Sequence, residues 1–171
     1  MNCYTRVIFT AAVSVGWIYG QTSTSHIAEA KQNYQGVKNN LQKMAEQVSE
    51  DNCGFKATPE VRSLGELVAH MADTQARLCS MAPGEPKTVA AAAKKSKADL
   101  VAALKDSSAI CDAAFDSLTE ATAPQAAGMG RSRLALLEFN TGHSNEEYGY
   151  MSVYFRLKGL IPPSSAGRGG R

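Results

Sequence analysis

No glycine-rich phosphate loop interrupts this chain: GxxxxGK[ST], GxGxxG and GxSxG are all missing from its 171 residues. Their absence excludes the P-loop and dinucleotide fingerprints and the nucleophile elbow of serine hydrolases. A strong excess of one charge sign is missing too. The formal net charge is +2, and no basic face is interleaved with aromatics, which argues against nucleic acid as a partner. Val and Ile are sparse beside Ala, a balance that favours helices over sheets. No pair of segments reads as strands, and no internal repeat is visible.

Long apolar runs are limited to one, Val7 to Tyr19, behind the weakly basic start Met1 to Arg6. It is too short to span a bilayer comfortably. With the polar QTSTS following Gly20, residues 1–20 read as a signal peptide cleaved after Gly20. The expected location is secreted or periplasmic, with no stable membrane insertion after cleavage; the alternative is a retained N-terminal anchor. Residues 21–163 then form one domain, long enough for a proper core. Residues 164–171 lack any apolar side chain beyond Ala166 and read as a disordered tail.

What is there is helical periodicity. Ala30, Tyr34, Val37, Leu41, Met44 and Val48 recur in steps of four and three, which predicts a helix over Ile27–Val48. Ser63 and Glu66 have capping-box spacing ahead of Leu64, Leu67, Val68, Met71 and Leu78, so a second helix runs from there to about Met81. A third begins at Lys94 or Ser96 and ends near Leu118, with Leu100, Leu104, Cys111, Phe115 and Leu118 on one face. The fourth lies within Leu134–Pro163 and closes at Gly159 before Pro162-Pro163. Four such helices imply an all-α four-helix bundle.

Cys79 and Cys111 lie at comparable depth in helices 2 and 3, and the connection between those helices is long enough to cross the bundle. A bridge between the two thiols selects parallel second and third helices, hence up-down-down-up order, and leaves Cys53 free. The alternative is a pair of small buried apolar residues.

The fourth helix carries an apolar stripe of Leu136, Leu137, Phe139, Tyr150, Met151, Tyr154, Phe155 and Leu157. Asn140, His143 and Glu147 fall within it at 100° per residue, and His143 and Glu147 are one turn apart. A carboxylate turned toward a core is costly unless satisfied, and a cation satisfies it well. His70, on the shoulder of helix 2, supplies a third donor. Two imidazoles and a carboxylate suit a divalent metal ion and leave a position open for water or substrate. Tyr150 and Tyr154 share the stripe with His143 and are candidates to orient a substrate, or else core aromatics.

VRSLGELVAHMADTQARLCS, KSKADLVAALKDSSAICDAAFDSL and GHSNEEYGYMSVYFRLKGLIPPSS together resemble the DinB-like superfamily of metalloenzymes. The most specific piece is H-x-x-E-x-Y-G followed by Y-x-R-x-K-G-x-x-P-P-S-S. The resemblance implies an up-down-down-up bundle, often a homodimer, with a metal on one His of the second helix and two of the last, spaced H-x-x-x-H. His70 matches the first ligand and His143 the second; Glu147 stands where a third His is usual. That change preserves a ligand type at i+4 and favours harder cations, with Zn, Mn, Fe or Ni all compatible. It equally fits a degenerate site. Two functions are therefore expected: a metal-dependent hydrolase or thiol transferase acting on a small molecule, or a non-catalytic, stress-associated binding bundle.

Overall fold

The computed structural model describes residues 25–167, and the expected signal peptide lies outside them. Four long helices make the fold: α1 (His26–Gln47), α2 (Leu64–Met81), α3 (Lys97–Asp116) and α4 (Arg133–Leu157). Short 3₁₀ turns occupy Glu50–Asn52, Ala91–Ala93 and Pro163–Ser165, and no strand occurs among the described residues. No described helix is long and apolar enough to cross a membrane.

Local chemistry sets each helix boundary. Ser63 accepts from the Glu66 amide while the Glu66 carboxylate accepts from the Ser63 amide, the reciprocal pair that the sequence spacing predicts. Ser96 and Ser132 cap α3 and α4 through the amides of Asp99 and Ala135. The start of α3 is thus at Ser96; Lys94 follows the 3₁₀ turn in extended backbone, outside the helix. After α4, Gly159 adopts φ +70°, a left-handed conformation that suits glycine and ends the helix.

The helices meet through matched pairs. Between α2 and α3, a Cβ on Gly65 would touch Leu100, Gln75 donates to Ser107 and Ser108, and Cys79 is bonded to Cys111. Between α1 and α3, Lys31 pairs with Asp116, Lys38 with Asp112 and Glu46 with Lys105. Tyr154 of α4 reaches the Arg62 carbonyl just ahead of α2, at 2.8 Å.

The core is divided in two. One apolar cluster gathers Leu41, Met44, Leu67, Met71, Met151 and Phe155 at one end of the bundle. The other centres on Tyr34, Leu78, Phe115, Leu136 and Leu137, with Tyr34 stacked on Phe115 at 5.0 Å. Buried Gln75, Ser107 and Ser108 form a hydrogen-bonded polar group between α2 and α3, and buried Asn140 donates to the Cys111 sulfur. The Cys79–Cys111 disulfide lies in the second cluster, with Cα atoms 4.9 Å apart, and Cys53 is free.

One expectation needs correction. Phe139, Tyr150 and Leu157 are not core residues: they are 37%, 49% and 61% exposed. By the 100° step these three share one flank of α4, about 60–80° away from Glu147, and the buried face is narrower than the apolar pattern. Ser164, placed at the start of the expected tail, is held against α4. Tyr148 donates to the Ser164 hydroxyl at 2.8 Å and accepts from its amide at 2.9 Å, which ties the final 3₁₀ turn to α4.

Candidate metal centre

Three donors converge between α2 and α4. His70 Nε2 lies 3.3 Å from His143 Nε2 and 3.4 Å from Glu147 Oε1, and the His143 and Glu147 atoms are 3.7 Å apart. The i, i+4 step puts His143 and Glu147 on one face, and α2 brings His70 opposite them. His70, His143 and Glu147, singled out from periodicity, are therefore one cluster, and every ligating atom is within 4.8 Å of the others.

The spacing can be tested against a cation. A tetrahedral shell with bonds of about 2.05 Å puts adjacent donors about 3.3 Å apart. Two of the three separations are close to that value, and the third is a little wider. The histidine charge states fit as well. Burial is the leading cause that lowers the pKa of both His70 and His143, so both favour the neutral imidazole that ligates metals. Burial is also the leading cause that raises Glu147, with the His143 and Arg62 charges working the other way. Glu147 is only 5% exposed, and its Oε2 is a buried oxygen with no hydrogen-bond partner among the described residues. An orphaned carboxylate oxygen among neutral imidazoles is an arrangement that a bound cation would satisfy.

The other polar side chains of α4 make the following contacts. Tyr150 is half exposed, and its hydroxyl donates to Glu146 at 2.6 Å. Tyr154 is buried, and its hydroxyl is committed to the Arg62 carbonyl. Asn140 is fully buried, and its Oδ1 has no partner among the described residues.

Two clefts flank the loop ahead of α2. One, about 760 Å³, has His70, Arg62, Asp73, Lys94 and Lys95 in its wall. The other, about 630 Å³ and largely apolar, is lined by Arg62, Leu67, Tyr150, Val153 and Tyr154. The Arg62 charge acts on all three metal-ligand candidates, lowering His70, His143 and Glu147 alike. Helical periodicity does not reveal Arg62, because it precedes the helix in irregular chain.

A sequence profile of the DinB superfamily matches residues 33–151. A DinB-like protein from Bacillus cereus superposes with a TM-score of 0.67 at 18% identity, covering 78% of this chain and 93% of its own. A DinB-like protein from Bacillus subtilis gives 0.64 at 19% identity, with 78% and 94% covered. A search of the curated proteins finds no match. The profile spans well over half of the sequence and includes His70, His143 and Glu147: the chain belongs to the DinB superfamily.

Proposed function

We propose that this protein is a metal-dependent enzyme of the hydrolase or thiol-transferase type, acting on a small molecule through one divalent cation on His70, His143 and Glu147. The observation that carries the reading is the convergence of those three donors at 3.3–3.7 Å, with Glu147 Oε2 buried and unpartnered. A cation held by three protein ligands supplies Lewis acidity and an acidified water or thiol. The chain's own part is to hold two neutral imidazoles and one carboxylate in place, and to present them beside open clefts. The test is metal content of the purified protein against His70→Ala and Glu147→Ala. Near-stoichiometric metal in the wild type alone supports the reading; equally low metal in all three supports a degenerate, non-catalytic bundle.

Three companion proposals share this frame. Up-down-down-up order is supported by the pairs 65 with 100, 75 with 107 and 79 with 111, which advance together along α2 and α3. Export is supported by the Cys79–Cys111 bridge, since such bonds persist in oxidising compartments. Homodimer formation is supported by the exposed apolar side chains Val153, Leu157 and Ile161. Sedimentation showing only monomer at micromolar concentration would rule the dimer out.

A further inference from the structure

The cleft that reaches His70 has a basic wall that the metal site does not use. Four cations line it, Lys56, Arg62, Lys94 and Lys95, against Glu60, Glu66 and Asp73. Most of the acidic side is already committed. Glu66 closes the capping box and pairs with Lys56 at 3.3 Å. Asp73 accepts from the amides of Ala91 and Ala92 at 2.7 and 2.9 Å. Glu60 is exposed to solvent. Arg62, Lys94 and Lys95 make no ion pair among the described residues.

This wall is built rather than incidental. Asp73 lies one turn beyond His70 on α2, and its two oxygens fix the 3₁₀ turn from which Lys94 and Lys95 project. Ala91 within that turn is fully buried, and Ala90 before it adopts φ 50°, a conformation that needs outside contacts to hold a non-glycine residue. Opposite, the Tyr154 hydroxyl holds the Arg62 carbonyl. The same helix therefore positions a metal-ligand candidate and the anchor of the basic segment. A concave site lined by unpaired cations concentrates anions, and guanidinium and ammonium groups both suit carboxylate or phosphate oxygens.

We propose that this cleft binds a small organic anion, with its carboxylate or phosphate group held by Arg62, Lys94 and Lys95 and the rest of the molecule extending toward His70. The inference rests on the metal-dependent reading for the reaction, but the anion subsite itself needs no metal. Substrates of this site would thus be acids, recognised at one end by charge and worked on at the other.

Calorimetric titration at low salt with citrate and with pyrophosphate, on metal-free protein, tests the idea and separates carboxylate from phosphate recognition. At least one probe should bind the wild type, weaken as salt rises, and lose about tenfold or more in affinity in Arg62→Gln and in Lys94→Gln/Lys95→Gln. Arg62→Lys should recover part of the loss. His143→Ala, outside the cleft wall, should lose zinc yet bind the anion as the wild type does. No binding of either probe, or equal binding in the charge-removal variants with native circular dichroism, overturns the proposal. If those variants bind normally while His143→Ala loses zinc, the subsite fails and the metal reading stands. If the anion binds as expected but zinc content never depends on His143, the metal reading fails and the subsite stands.

Discussion

Glu147 is the residue on which the site turns, because a buried carboxyl group with one unpartnered oxygen serves the metal-free fold poorly. Glu147→Leu is expected to abolish tight Zn²⁺ binding and yet stabilise the metal-free protein by about 1 kcal/mol, read as a shift in urea midpoint. Glu147→His should keep Zn²⁺ binding; loss of binding there would show that the local geometry demands an oxygen. The two histidines add a pH dependence in the metal-free state. Burial lowers both of their pKa values, so the stability they contribute is present above the unfolded value near 6.5 and is lost as pH falls through the folded values. Glu147 is shifted upward, so its contribution runs the other way, present at low pH and lost as pH rises through its folded value. Thermal melts of metal-free protein between neutral pH and about pH 5 should show the wild type losing more stability than His70→Asn/His143→Asn. An identical loss in both would mean that the histidines are not held neutral. His143 and Glu147 were legible from sequence because the i, i+4 step places them on an apolar stripe. Tyr150 was misread, since the stripe's flank looks identical to its centre until a neighbouring helix chooses which side to cover.

Helix boundaries were legible wherever a side chain closes a backbone group. Ser63 with Glu66, Gly159 and the Pro162-Pro163 stop all act locally, so their chemistry can be read without knowing the fold. The first residue of α3 was ambiguous because three lysines crowd a segment whose conformation is set by Asp73, a tertiary contact from another helix. Ser63→Ala is expected to cost about 1 kcal/mol, and more in effect on metal affinity than an equal loss elsewhere, because the cap sits two turns before His70. Chemical denaturation measures the first quantity and zinc titration the second. The disulfide joins α2 to α3 across a sequence separation of 32, and its removal in Cys79→Ala/Cys111→Ala should cost about 3–4 kcal/mol on the loop-entropy estimate. Thiol counting on the denatured, unreduced protein checks that the bond is present in solution; reactive Cys79 and Cys111 would refute it.

At the scale of the whole molecule, the bundle joins two apolar clusters, and buried Gln75 of α2 donates to Ser107 and Ser108 of α3. The candidate ligands come from α2 and α4, with His70 and His143 separated by 73 residues in sequence, so only the folded chain assembles them. A cation bound there must therefore stabilise the native state by mass action. At a free Zn²⁺ concentration about a hundred times Kd, the gain is about 2.7 kcal/mol. For a chain of this size that corresponds to a rise in Tm of about 5–10 °C. Ca²⁺ should give little, because a set of two imidazoles and one carboxylate lacks the oxygen ligands that it requires. His70→Ala and Glu147→Leu should show no Zn²⁺-dependent rise, since each removes one of three donors. A rise of the same size in the wild type and both variants would place the stabilising ion elsewhere on the molecule and end the case for this cluster as the metal centre.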